Sequence, residues 1–120
     1  MSTSMHTGKY KLDENNKPVE CGRAEYFFWQ ETLPPERRTR IGFRLRYFER
    51  NGVAVSTVYL GIDHGWGDNE KPILWESMVF ADDEEINEIC VRYDSHEAAL
   101  IGHREMVDKY VLKRKPKERT

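Results

Sequence analysis

A chain of 120 residues with a formal net charge of −2 has room for one core and one domain, which leaves little for a second. Apolar residues make up 38%, charged residues 33% and aromatics 12%, which excludes a disordered chain and points to a small aromatic core under a charged surface. The near-neutral balance also excludes a protein that coats nucleic acid by bulk charge, so local segregation of charge carries the argument.

Residues 1–9 are small and polar without periodicity and read as a flexible N-terminus; a single domain is expected over 10–112. "YKLDENNKPVEC" predicts two short extended pieces joined by a turn at Glu14 to Pro18. In "GRAEYFFWQE" four aromatics, Tyr26, Phe27, Phe28 and Trp29, are consecutive and cannot share one helix face. A short helix over 22–31 is the preferred reading, and Pro34 and Pro35 end it.

The clearest local signal is "IGFRLRYFERNGVAVSTVYLGI". Asn51 and Gly52 suit a two-residue type I′ turn, which needs positive φ at both positions, so strands at about Arg40 to Arg50 and Val53 to Ile62 pair as a hairpin. With Arg50 opposite Val53, an unbroken register sets Phe43, Leu45 and Tyr47 against Leu60, Val58 and Ser56 as the core face. Arg44, Arg46 and Phe48, opposite Tyr59, Thr57 and Val55, then form an exposed basic and aromatic face.

"PILWESMVF" is apolar on both faces, as in a strand at mid-sheet, with Glu76 its one charge. "ADDEEINE" is an acidic turn and "EICVRY" a further strand. A helix opens at Ser95, or at Asp94 with Glu97 as a capping box, and carries an apolar stripe of Ala99, His103, Met106, Val107, Tyr110 and Val111. Residues 113–120 are a basic, flexible tail. The order predicts an α+β two-layer sandwich: an antiparallel sheet of about four strands, a C-terminal helix packed on it and a short N-terminal helix.

The blocks "STVYLGIDHGWG", "PILWESMVF" and "RYDSHEAALIGHREMV", in this order, resemble a widespread set of small uncharacterised bacteriophage and prophage proteins with "STVFLGLDH", "LFETMVFG" and "RYST…EA..GH" segments. The resemblance covers about Ser56 to Val107 well and the first thirty residues loosely. Where that set often has glycine after "MVF", this chain has Ala81 and an acidic run, and its "FRLRYFER" strand is richer in arginine. The resemblance implies a viral origin.

Three constellations are candidates for function. Asp63, His64, Glu76 and His103 could bring two imidazoles and carboxylates together if the closing helix covers the strand ends, a workable ligand set for zinc or another divalent metal. There is no HExxH or paired-histidine spacing, and the competing reading makes His103 a hydrogen-bonded core histidine, with Asp63 and His64 capping a turn. His96 is read as solvated. Next, Arg37, Arg38, Arg40, Arg44, Arg46 and Arg50, with Phe48 and Tyr59 between them, could bind phosphates and stack bases, unless they serve only as a solvated face balanced by the run Asp82 to Glu88. In "GIDHGWGD" no lysine or helix follows to make a phosphate loop, whereas Trp66 could anchor a protein partner or fold back on the core.

Only Cys21 and Cys90 occur, outside any CxxC spacing, so a reduced cytoplasmic compartment is expected, the host cytoplasm if the chain is viral. No apolar run nears the roughly 20 residues that span a bilayer, and no membrane association is expected. The leading expectation is a phage accessory protein without a cofactor. It would bind a host or phage macromolecule, a protein first and nucleic acid through the arginine face second, for instance to inhibit a host defence system. The alternatives are a metal-assisted hydrolase or a small-molecule or nucleotide-binding enzyme using His64, His103 and Glu76, and a virion or assembly component that self-associates; a homodimer is a further partner considered.

Overall fold

The computed structural model describes residues 8–63 and 72–113. The chain opens with a small hairpin, β1 (Tyr10–Leu12) and β2 (Pro18–Glu20), paired antiparallel. Its turn is held by Asp13, whose carboxylate accepts from the backbone N–H groups of Asn15 and Lys17. Helix α1 (Arg23–Glu31) follows, within one residue of the expected span. Consecutive aromatics diverge on it as helix geometry demands: Tyr26 is buried, Phe27 and Phe28 are exposed, and Trp29 turns edge-on to Phe43 and Tyr59.

The main sheet is β3 (Phe43–Arg50), β4 (Val53–Tyr59), β5 (Trp75–Ala81) and β6 (Cys90–Tyr93), antiparallel throughout and in chain order. Asn51 and Gly52 take φ of 54° and 78°, the left-handed pair that a two-residue hairpin turn requires. Both strands of this hairpin are shorter than expected. Thr39 closes a turn onto Gly42 before β3, and Gly61, with φ of 74° and the Tyr26 hydroxyl packed against its Cα, bends the chain away after β4.

Helix α2 (His96–Met106) packs on β4, β5 and β6 and runs into a π-helical segment, Val107–Leu112. Ser95, not Asp94, is its N-cap: the Ser95 hydroxyl accepts from the Ala98 N–H at 3.0 Å. These elements make the expected α+β sandwich, with a four-stranded antiparallel sheet under the C-terminal helix. Among the described residues no helix is long and apolar enough to cross a membrane.

The face of the sheet toward α2 holds the core in three successive β4–β5 rungs. Val55 and Val79 pair in one, with Ile86, Met106 and Val111 above them. Tyr59 and Trp75 pair in another, with Leu74 and Ala99. The rung between them is Thr57 opposite Ser77, both fully buried, so a polar layer divides the apolar core.

The strand β3 departs from the expected register. From the turn it pairs as predicted, Phe48 opposite Val55 and Arg46 opposite Thr57, but a β-bulge between Arg46 and Arg44 then sets Arg44 opposite Val58 and Phe43 opposite Tyr59. The expected faces fail for two reasons, the side of the sheet that α2 covers and, for Arg44, the bulge. Arg46 and Phe48 lie on the helix-covered side, because their partners Thr57 and Val55 are core residues. Arg44 is carried to the opposite, open face beside Tyr47, with its guanidinium 4.4 Å from the Tyr47 ring centre. Tyr47, predicted as core, is exposed on that open face together with Phe80, over a floor of buried Ala54, Ser56 and Val58.

Candidate functional site

The closing helix reaches the polar rung of the sheet through His103. Nδ1 of His103 lies 2.6 Å from the Thr57 hydroxyl, and that hydroxyl lies 2.5 Å from the Ser77 hydroxyl. Burial, and then the positive charge of Arg46, hold the His103 imidazole below its ordinary pKa. His103 is therefore a half-buried, hydrogen-bonded histidine whose surroundings disfavour the imidazolium. Its partner is a threonine, neither the backbone carbonyl nor the carboxylate that sequence reasoning offered.

Of the predicted cluster of Asp63, His64, Glu76 and His103, the described members Glu76 and His103 do not meet. Glu76 and Ser77 are adjacent on β5 and point to opposite faces, so His103 meets Ser77's side of the sheet while Glu76 is on the other. Glu76 is 5% exposed and accepts from Arg92 Nε at 3.1 Å across the β5–β6 rung. Asp63 sits at the sheet's end, its carboxylate accepting from the Ile73 N–H and its own N–H donating to the Gly8 carbonyl. His64 and Trp66 lie outside the described residues. Among the described residues no group of three or more His, Cys, Asp and Glu side chains is placed to share a metal ion.

Nor does the arginine group share one surface. Arg38 pairs with Glu31 at 3.3 Å and reaches the Gln30 carbonyl, which ties it to the end of α1. Arg40 lines a depression beside Tyr26 and Leu60. Arg44 belongs to the open face. Tyr59, expected to be exposed for a partner, is 2% exposed, and its hydroxyl donates to the Tyr10 carbonyl at 2.6 Å. The cause is the bulge together with the side from which the helix packs: the β4 residues predicted to be exposed are the ones α2 covers.

What does assemble is a groove of about 380 Å³ between β3 and α2, lined by Arg46, Phe48, Leu100, His103, Arg104 and Val107 along with Tyr47. The helix supplies Leu100, His103, Arg104 and Val107 at helical spacing on one flank. The other flank is the edge strand. Arg46 folds along that edge, one guanidinium nitrogen donating to the Leu45 carbonyl at 2.9 Å, and Arg37 Nε donates to the Arg44 carbonyl at 2.8 Å. These contacts cover part of the exposed backbone of β3 with cationic groups, a common protection of a sheet edge.

The groove is electropositive. No carboxylate lines it, and among the described residues none lies within ion-pair distance of Arg37, Arg46 or Arg104. His96, at the N-terminal end of α2, is only partly exposed, with its ring 6.5 Å from that of Trp75. Burial, then Arg46, then Arg37 lower its pKa. Both histidines therefore register the same arginine field. Phe48, 37% exposed, presents an aromatic ring in this setting.

Arg104 and Ser77 were not singled out by sequence reasoning, which read His96 as solvated and placed Thr57 on the exposed face. Arg104 and His96 follow from the spacing around Leu100 and His103 once the covered side of β3 is known. Thr57 and Ser77 stand out only when the β4–β5 register sets two hydroxyls side by side in an apolar layer. Compared with protein-family models, curated proteins and solved structures, the chain matches none.

Proposed function

We propose that this chain acts by binding, as a small phage accessory protein that holds a host or phage macromolecule against the groove between β3 and α2. The phage attribution rests on the ordered sequence blocks around "STVYLGIDHGWG", "PILWESMVF" and "RYDSHEAALIGHREMV". The observation that carries the binding reading is the convergence of Arg46 and Arg104 on one groove that no carboxylate lines, beside the partly exposed ring of Phe48. Unpaired arginines and exposed aromatics are the residues on which binding surfaces concentrate their energy.

A hydrolytic reading finds less support. Thr57 and Ser77 are the hydroxyls nearest an imidazole, yet both are fully buried and bonded to one another, so neither oxygen can approach a substrate carbonyl. Binding alone suffices to inhibit a host factor, a defence system included.

Affinity capture from bacterial lysate tests the reading, comparing the native chain with the double variant Arg46→Glu/Arg104→Glu. A specific macromolecule retained by the native chain and lost by the variant is the expected result. Equal retention by both would show that the groove is not the contact surface.

A further inference from the structure

The chemistry of the groove fits one class of macromolecule better than others. We infer that it is a binding site for single-stranded nucleic acid, with Arg46 and Arg104 holding backbone phosphates and Phe48 stacking a base. The inference deepens the binding reading above and rests on it.

The arginines are placed for phosphate rather than for an internal counter-ion. Arg46 spends one donor on the Leu45 carbonyl of the β3 edge, which tethers the guanidinium beside the groove and leaves its other donors for a ligand. A guanidinium held this way offers paired N–H groups at the spacing of two phosphate oxygens, without the entropy cost of ordering a free side chain on binding. Arg104 lines the groove from α2, opposite Arg46 of β3, so cationic groups stand on both flanks.

The aromatic contribution distinguishes a single strand from other polyanions. Phe48 lines the same groove, with Leu100 and Val107 as its apolar floor on the helix side. A ring beside a cationic track is the arrangement by which proteins hold unpaired strands: phosphates follow the charge, and a base unstacked from its neighbours lies on the ring. In a duplex the bases are stacked on each other and cannot reach Phe48, so only the charge term would remain. An acidic protein segment would likewise use the arginines but would gain little from an aromatic surface without its own apolar anchor. With a net charge of −2 the chain has no overall attraction for polyanions, so affinity must come from this local track.

Fluorescence anisotropy with the full-length chain tests the inference, using labelled oligothymidylate and oligouridylate of about 12 nucleotides and a duplex of the same length, across a salt series. Binding of the single strands is expected, at least tenfold tighter than the duplex. The slope of log affinity against log salt should be about −1.4, as for two phosphates on a single strand. Arg46→Glu/Arg104→Glu should weaken binding by more than tenfold and flatten that slope.

Phe48→Leu, which keeps an apolar side chain against the helix and leaves the fold intact, should weaken single-strand binding by about fivefold to tenfold, through loss of stacking, without changing the salt slope. Three results would each overturn the inference: no single-strand binding at low salt, equal affinity for the duplex, or unchanged affinity in the arginine variant. If the first occurs while a lysate protein still depends on Arg46 and Arg104, the groove remains a contact surface and only its assignment to nucleic acid is lost.

Discussion

The Thr57 hydroxyl stands between Nδ1 of His103 and the Ser77 hydroxyl, at 2.6 Å and 2.5 Å, in a rung bounded on both sides by apolar pairs. Each buried polar atom there is satisfied by another, and a shift of β4 against β5 would separate all three. The rung thus ties strand register to the position of the helix.

Thr57→Val keeps the shape of the side chain and removes the shared hydroxyl. Ser77 and the His103 nitrogen then lose a partner in a buried site, at a cost of about 1–3 kcal/mol. Urea unfolding should show a lower midpoint with an unchanged slope. An unaltered midpoint would mean that the rung contributes nothing to stability.

The same histidine sets a pH dependence. Burial and Arg46 lower the pKa of His103, and burial, Arg46 and Arg37 lower that of His96, so the folded chain takes up fewer protons than the unfolded one near the ordinary imidazole value of about 6.5. Stability from these groups is complete above that value and is lost as pH falls toward the lowered pKa values of the folded state. The charges that act on them, Arg46 on both and Arg37 on His96, are of like sign to an imidazolium. Unfolding midpoints should fall between about pH 7.5 and pH 5.5, and the fall should be smaller in His103→Gln. A midpoint that rises over this window would contradict the assignment.

On the open face, Glu76 is buried and Arg92 half-exposed, so the pair is asymmetric. Arg92→Ala strands a carboxylate away from water. The expected loss is about 1–3 kcal/mol, below that of a fully buried pair because solvent reaches the arginine side. Glu76→Gln in the Arg92→Ala background should recover part of the loss, since the stranded charge is gone. Chemical denaturation of the four proteins in this cycle provides the test, and simple additivity would count against coupling.

Gly102 lies on the buried side of α2 with the Tyr93 ring where a Cβ would be built. By helix propensity alone, Gly102→Ala should stabilise by about 1 kcal/mol. The ring contact reverses the sign, and a net loss of about 1–3 kcal/mol is expected from overpacking. Combining it with Tyr93→Leu should relieve the clash. A thermal midpoint raised by Gly102→Ala alone would show that the Tyr93 ring moves aside freely.

The parts of this fold legible in the sequence are those set by neighbouring residues. Asn51-Gly52 specifies its turn through backbone conformation, Ser95 specifies a helix start through one hydrogen bond, and Pro34-Pro35 ends α1 by removing donors. The β-bulge between Arg44 and Arg46 has no such marker, for no glycine or proline lies within "FRLRYFER". A single extra residue there exchanges the faces of the strand beyond it, which separated Arg44 from Arg46 and dispersed the expected arginine surface. Which side of the sheet α2 covers is equally non-local. Tyr59 and Phe48 could therefore be recognised as paired-face residues, but not assigned to the inside or the outside. The expected meeting of Glu76 with His103 failed on a simpler point, the alternation of side chains along β5, since Ser77 holds the position that faces the helix.

The central claim is that the groove between β3 and α2 is the contact surface of this protein, and an amide chemical-shift titration with oligothymidylate reads that surface residue by residue. Perturbations concentrated at Arg46, Phe48, Leu100, His103 and Arg104, and abolished by Arg46→Glu/Arg104→Glu, are the predicted result. Perturbations centred instead on Met78, Phe80, Cys90 and Arg92 of the open face would contradict it.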